Sequence, residues 1–299
     1  MRWVIVSYEL RYGIECGVLC PYHYYGCLDD VDYSKISHKG SSYDIRDLEK
    51  ALIIPKRDKA IILKWREKAE GKSTVAFCCS IKHAERVAAS FNAEGISAAA
   101  YTTAESKLER KAILEKYKNG NISVLCAVDV LNEGADLPFI ECLLFLRPTE
   151  SKRIFYQQLG RGLRRFVGKP ICIVIDFIGN FKNAYKIIEY QGLLPFEQGE
   201  ASDNYGANVK TRKGILDLPL GCEVHFDDSV IDIFISQTRN PAYITRHNIG
   251  RILLYQYERL SRRLGRKPTR RDIDANYKIN SEIYAIFYGD WATFEKIMG

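Results

Sequence analysis

Residues 154–165, IFYQQLGRGLRR, bring guanidinium groups, carboxamides and two glycines together on one short predicted helix. Gln157, Arg161 and Arg164 fall at i, i+4 and i+7, a spacing that projects all three from one helical face. Arginine forks bind phosphate oxygens in bidentate fashion, so such a face suits a polyanion. Inside a helix, Gly160 and Gly162 each cost up to ~1 kcal/mol relative to alanine. Their presence predicts a face that a large anionic ligand approaches closely, since a merely exposed basic helix gives no reason for them.

The elements around that helix supply a scaffold. From Ser73 to Ile178, short apolar runs alternate with amphipathic stretches. STVAFCCS, ISAAAYTT, ISVLCAVDV, ECLLFLRP and ICIVIDFIG read as buried strands. HAERVAASFNAEG and ESKLERKAILEKYKNG read as helices, stopped by Gly95 and by Asn119-Gly120. The alternation predicts an α/β fold, a parallel sheet flanked by helices on both faces. Ligands of such sheets bind beyond the carboxyl ends of the strands. Ser80, Tyr101-Thr102-Thr103, Asp129 and the run Arg147-Pro148-Thr149-Glu150-Ser151 all stand at those ends.

The length, 299 residues, fits two or three small domains, and 46% hydrophobic with 27% charged residues is an ordinary globular composition. No apolar run reaches the roughly 18 residues that span a bilayer, and the polar start is no signal peptide, so a cytoplasmic setting is expected. The nine cysteines are an odd number, several within apolar strands, which favours reduced thiols over a disulfide framework. Cys16, Cys20 and Cys27 match no paired CxxC spacing and would need His23 to complete a zinc site, so small hydrophobes on a strand are the stronger reading and no metal is assigned. The five histidines, His23, His38, His83, His225 and His247, are isolated from one another and read as structural or exposed.

VLCAVDVLNEGADLP followed by YQQLGRGLRR resembles motifs V and VI of superfamily 2 helicases. Gln157, Gly160, Arg161 and Arg164 match that family's Q-x-x-G-R-x-x-R in full, and TVAFCCS resembles its motif IV. With LCPYHYYG, LRPTES and DFIGN, the resemblance extends over residues 5–237 to DEAD/DEAH-type helicases related to the Res subunits of restriction enzymes. It implies the second RecA-like lobe of an ATP-dependent motor. Arg161 and Arg164 would reach the γ-phosphate of ATP, Arg164 as the arginine finger, and Gln157 would position the phosphate or the attacking water. Gly134 and Asp136 would meet the nucleotide near its sugar, with Gly160 lining the same cleft. Ser80, Thr102 and Thr149 would touch the phosphates of one nucleic-acid strand. ATP and Mg2+ would be shared with a first lobe. This sequence offers no phosphate-binding G-x-x-x-x-G-K-[ST] loop, since EKAEGKST has Arg66 where the first glycine belongs, and no DEAD or DEAH tetrad. The expectation is half a motor: no ATPase alone, with the first lobe in another chain or a missing part of this one.

On that reading residues 1–55 are an N-terminal extension, 56–190 the RecA-like lobe, 191–245 a linker and accessory segment, and 246–299 a basic helical domain. Between Arg246 and Arg271 stand nine Lys/Arg against the single acid Glu258, which accounts for the whole net charge of +7 and leaves the remainder close to neutral. A helix from about Asn248 to Leu264 would bury Leu253, Tyr257, Leu260 and Leu264 and present Arg259, Arg262, Arg263 and Arg266 on its opposite face. Thr269 is the expected N-cap of the next helix. LGRKPT and YGDWATFEKIMG are similar to small helical repeats attached to homing endonucleases, which implies binding to DNA, double-stranded by preference. The alternative is a non-catalytic nucleic-acid-binding adaptor that keeps the lobe as scaffold.

Overall fold

The computed structural model describes residues 12–40, 42–128, 137–148, 151–179, 184, 187, 219–227, 229–230, 233, 246–276, 281, 284–285 and 289–298. The chain divides into two compact units, residues 1–182 with 219–230 and residues 183–218 with 231–299.

Seven parallel strands build the first unit: β1 (Tyr22–Leu28), β4 (Thr74–Phe77), β5 (Ala98–Tyr101), β6 (Val124–Ala127), β7 (Cys142–Phe145), β8 (Cys172–Ile178) and β9 (Glu223–Phe226). A short antiparallel pair, β2 (His38–Lys39) and β3 (Ser42–Tyr43), lies apart from them. The order is β5-β6-β4-β7-β8-β1-β9, and each neighbouring pair is parallel. The predicted α/β parallel sheet is therefore the fold that forms. β4, β6, β7 and β8 are buried at every residue, as strands covered on both faces must be. β1 comes from the 1–55 extension and β9 from the 191–245 segment, so the sheet draws on more of the chain than residues 56–190.

The helices of this unit are α1 (Ile45–Leu52), α2 (Pro55–Ala69), α3 (Ile81–Ala93), α4 (Lys107–Lys118) and α5 (Lys152–Gly162). Their starts follow from local chemistry. Asp44 caps α1, Pro55 occupies the first turn of α2, Ser80 caps α3, and Ser106 with Glu109 closes a capping box on α4. α3, α4 and α5 each leave the sheet at its carboxyl edge and run back, so their last turns arrive at the amino edge. Between α2 and α3, Trp65 packs edge-on against Phe91 and donates its indole N–H to Thr74 Oγ1 at 2.7 Å.

The second unit is helical. α6 (Arg246–Leu264) buries Leu253, Tyr257 and Leu260 as its periodicity predicts. Tyr257, Tyr284, Trp291 and Phe294 form an aromatic core with α8 (Trp291–Met298), and the Tyr284 hydroxyl donates to the Leu253 carbonyl at 2.9 Å. α7 (Arg270–Asn276) starts at Thr269, whose hydroxyl accepts the Asp272 N–H while Asp272 accepts the Thr269 N–H. The expected N-cap is in place.

Candidate functional site

Ser151 starts α5 by accepting the Ile154 N–H, and Phe155, Leu159 and Gly162 then face the sheet. Phe155 stacks on Phe145 of β7 with ring centroids 5.5 Å apart, which fixes the rotation of the helix. Gln157 is left exposed and Arg161 half-buried on the outer side. The helix ends at Gly162, earlier than predicted. The Cys20 N–H takes the Leu163 carbonyl at 2.8 Å, and Arg164 lies in an antiparallel bridge with Leu19. Arg164 is thus not the third row of a helical face; it is the first extended residue beyond the helix. Burial and then the charge of Arg164 hold the Arg161 guanidinium below its ordinary range, so the two cations stand close enough to repel. Arg165 turns away and donates to the Gly17 carbonyl at 2.6 Å.

The two glycines have different reasons. A Cβ on Gly162 would lie 2.7 Å from both Leu143 Cδ1 and Cys172 Sγ, so this glycine lets the last turn of α5 touch the sheet. On Gly160 a Cβ would meet nothing within 4 Å. Only Gly160 retains the explanation of a close ligand; for Gly162 packing replaces it.

The amino edge of the sheet is where this turn sits. Cys20 and Pro21 precede β1, the Cys172 N–H that opens β8 bonds to the Pro21 carbonyl at 2.9 Å, and the Cys20 thiol points to the Gly162 carbonyl. The polar residues expected at the carboxyl ends belong to the opposite edge, and two of them have structural duties. The Ser80 hydroxyl accepts the His83 N–H and donates to Glu49 Oε2 at 2.6 Å. Thr102 is fully buried, with its hydroxyl donated to Glu105 at 2.9 Å and accepting the Ala104 N–H. A nucleic-acid contact from Thr102 is therefore corrected: a side chain enclosed in its own turn cannot reach a phosphate. Asp129, Gly134, Asp136 and Thr149 lie outside the described residues.

An ion pair that sequence reasoning missed closes the carboxyl edge. Arg57, near the start of α2, and Asp29, just after β1, are both buried and joined through Nε and Nη2, at 2.9 Å for Nη2 to Oδ2. Arg57 also donates to the Leu146 carbonyl at 2.9 Å, and the Tyr33 hydroxyl donates to Asp29 at 2.8 Å. Burial opposes the charge on Arg57, but the charge and hydrogen bonding of Asp29 together with Tyr33 and Cys78 outweigh it and hold the guanidinium above its ordinary range. His83 lies 3.5 Å from Arg57; burial and then that cation push its imidazole down to about 3, so it is neutral and accepts the Cys79 N–H on Nδ1. Proximity in space of residues 28 apart in sequence leaves no local signal. Of the expected residues on this stretch, Gln157 lies at the middle of α5, Gly160 and Arg161 lie in its last turn, and Arg164 follows its end at the amino edge.

Residues 56–165 match the helicase conserved C-terminal domain. The arginine turn falls inside the matched span. A putative ATP-dependent helicase IRC3 of Saccharomyces cerevisiae is 32% identical over 165 residues, covering 54% of this chain and 24% of that protein. A 51.5 kDa protein of a Lactococcus phage is 30% identical over 167 residues, covering 54% of this chain and 35% of that one. The chain spans between a quarter and about a third of these two curated relatives. Among solved structures, a fragment of a putative HsdR subunit of a type I restriction enzyme from Vibrio vulnificus superposes with a TM-score of 0.45 at 23% identity, over 56% of this chain and 34% of that one.

Outside the matched span, the four C-terminal arginines do not form one stripe. Arg266 follows Gly265, past the end of α6, and is held by Asp272 through both carboxylate oxygens at 2.7 and 2.9 Å. Hydrogen bonding to Arg266 and then to Thr269 lowers the Asp272 carboxyl in return. Arg262, exposed, pairs with Glu258 at 3.4 Å, and Arg263 donates to the Asn276 side chain. Arg259 is half-buried. The reason for the correction is the glycine: Gly265 takes φ +66 and ends the helical row before Arg266. Among the described residues no three His, Cys, Asp or Glu converge as metal ligands, and no helix is long and apolar enough to cross a membrane.

Proposed function

We propose that this lobe is the second half of an ATP-dependent nucleic-acid motor, which supplies arginines to a nucleotide held chiefly by a first RecA-like lobe. The observation that carries the reading is the match of residues 56–165 to the helicase conserved C-terminal domain, a span that ends on Arg161 and Arg164 at one edge of the sheet. A polyphosphate fits such a donor set: planar forks accept phosphate oxygens, and a pre-placed cation stabilises charge on a transferring phosphoryl group without reorganising. Arg164, extended and exposed beyond the helix, is the better placed of the two to reach across a cleft and serves as the arginine finger. Arg161 and Gln157 hold the phosphates or the attacking water, and Gly160 leaves them room. Mg2+ would arrive with the nucleotide on the partner lobe. The relatives named as ATP-dependent helicases support ATP as the ligand.

The nucleic-acid partner, double-stranded DNA on this reading, would be met by phosphate contacts from the C-terminal helical unit through Arg262 and Arg263. Their present partners, Glu258 and an asparagine, can be exchanged for phosphate with little penalty at an exposed site. Gly134, Asp136 and Thr149 keep their proposed roles at the nucleotide sugar and on the strand.

Purified chain alone should hydrolyse no ATP above background, and addition of a first lobe carrying a P-loop and an acidic magnesium motif should produce nucleic-acid-stimulated ATPase. Robust turnover by the isolated chain would sink the half-motor reading and favour a complete site within it.

A further inference from the structure

Lys169 is a buried lysine whose ammonium group meets only backbone carbonyls through its hydrogen bonds. Its Nζ donates to Gly162 O at 2.8 Å, Pro138 O at 2.8 Å and Ile140 O at 2.9 Å. Three donors and three acceptors exhaust the group. Among the described residues no carboxylate bonds to it; Glu141, an acid that acts on it, pairs with Lys72 instead. Burial accordingly pulls the Lys169 ammonium below its ordinary range, with Cys20, Cys172 and Glu141 working weakly the other way. A buried cation satisfied by carbonyl dipoles alone is a costly way to fill space, and an apolar side chain of the same length would do so without the desolvation penalty.

What the three carbonyls have in common is their position. Gly162 ends α5, where the last carbonyls of a helix lack intrahelical partners and carry the negative end of its dipole. Pro138 and Ile140 belong to the turn that follows Asp136 and leads into β7. One side chain therefore ties the end of the arginine-bearing helix to the exit of the NEGAD segment. The chain is built to aim it: Lys169 closes a turn with its N–H on the Phe166 carbonyl at 3.1 Å, and Gly168 takes φ +81, which other residues rarely adopt.

We propose that Lys169 is a positioning residue, which holds the Arg161–Leu163–Arg164 turn in fixed register against the 137–140 turn so that both arginines point to the bound nucleotide. This rests on the reading of those arginines given above. The lysine touches no ligand itself; it acts by fixing where the helix ends. Misplacement of a reacting group by about 1 Å can cost about 10²-fold in rate, so a clamp at this position is worth its buried charge.

The test uses the full chain with a first lobe, in the parent, Lys169→Met, Lys169→Arg and Arg164→Ala. Lys169→Met should lower kcat by about 10- to 100-fold with KM for ATP changed little. In the same protein without the first lobe, amide hydrogen exchange should quicken at residues 138–142 and 162–165 and stay unchanged in β4, β5 and β6. Lys169→Arg, which keeps donors and charge, should recover part of both losses, whereas a merely space-filling role predicts that Met is the better substitute. A folded Lys169→Met protein with parental kcat and parental exchange at 162–165 overturns the proposal. Should Lys169→Met not fold, Lys169→Arg decides alone: parental kcat with altered exchange at 162–165 is the contrary result. If Arg164→Ala leaves kcat untouched, the arginine reading fails and the proposal falls with it, whatever the exchange pattern. If Arg164→Ala abolishes turnover and Lys169→Met does not lower it, the reading stands and only the clamp is refuted.

Discussion

Arg57 and Arg161 carry the same group at opposite edges of one sheet, under opposite electrostatics. Arg57 is buried, paired with Asp29 and bonded to a carbonyl, and its proton is held more firmly than usual. Arg161 is half-buried beside a second guanidinium, and its proton is held less firmly. The first setting is closed: every direction from the guanidinium leads to a protein atom that ties α2 to β1 and β7. The second places two like charges near each other toward the surface. On the proposed reading, stability and function fall to different arginines, and the contrast can be broken or sharpened by substitution.

Arg57→Met carries the largest stability effect. Removing one partner strands the Asp29 carboxylate in the core, at a cost of about 3–5 kcal/mol, and should appear as a lower denaturant midpoint. Arg164→Ala, at an exposed position, should stay within about 0.5 kcal/mol of the parent in the same titration. Equal losses at both sites would erase the distinction.

The two glycines of α5 come next. Gly162→Ala should destabilise by about 1–3 kcal/mol, because the added methyl collides with the buried Leu143 and Cys172 side chains. Gly160→Ala meets open space and should stabilise by up to ~1 kcal/mol. Thermal melts of both variants check the pair. A loss of reconstituted ATPase in the more stable Gly160→Ala would place a ligand against that position.

A smaller effect depends on pH. Asp176, in the middle of β8, is buried; burial pushes its carboxyl up from 3.8 to about 7 against the hydrogen bond from Tyr24. Between those values the unfolded chain has lost the proton and the folded one keeps it, so stability falls as pH rises from about 4 to 7 and levels off above. Asp176→Asn removes that slope. Relative to the parent its melting temperature should rise by about 2–4 °C for each ~1 kcal/mol of difference as pH goes from 5 to 7.5. His83 titrates in the other direction but is common to both proteins. A constant difference across the range would show that Asp176 is ionised in the folded state.

The weakest effect on folding belongs to the C-terminal unit. Neutralising Arg262 and Arg263 together should leave the melt in place and weaken duplex DNA binding for all sequences alike. The slope of log K against log salt should flatten by up to about 2, near 0.9 for each phosphate no longer neutralised. An unchanged slope in anisotropy titrations would make these arginines a solvated surface.

Strands were the legible part of the sequence. VAF, VLC and CLLF are continuous apolar runs and CIVIDFI is broken only by Asp176, because both sheet faces are covered, and each became a central strand or most of one. β9 was not legible: four residues, Glu-Val-His-Phe, sit in a polar surrounding, and only pairing with β1 makes them a strand. The arginine turn was half legible. Q-x-x-G-R-x-x-R identified the residues, but spacing alone extended the helix to Arg164, whereas the hydrogen bond from Cys20 to Leu163 ends it sooner. Ser80 and Thr102 show the limit of reading polarity, because a hydroxyl at a strand end looks the same whether it awaits a ligand or closes a cap. Arg57, Asp29 and Lys169 left no signal, since their partners are set by tertiary approach.

The central claim is that the exposed arginine at the amino edge acts on a nucleotide bound elsewhere. Steady-state ATPase of the chain combined with a first lobe, comparing Arg164→Ala with Arg165→Ala, tests it most directly, because Arg165 is turned to the Gly17 carbonyl and serves as the neighbouring control. Arg164→Ala should lower kcat by about 10³-fold or more, and Arg164→Lys should rescue little, since an ammonium lacks the planar fork. Arg165→Ala should stay near the parent. A parental kcat in Arg164→Ala, or an equal loss in both variants, would contradict the account.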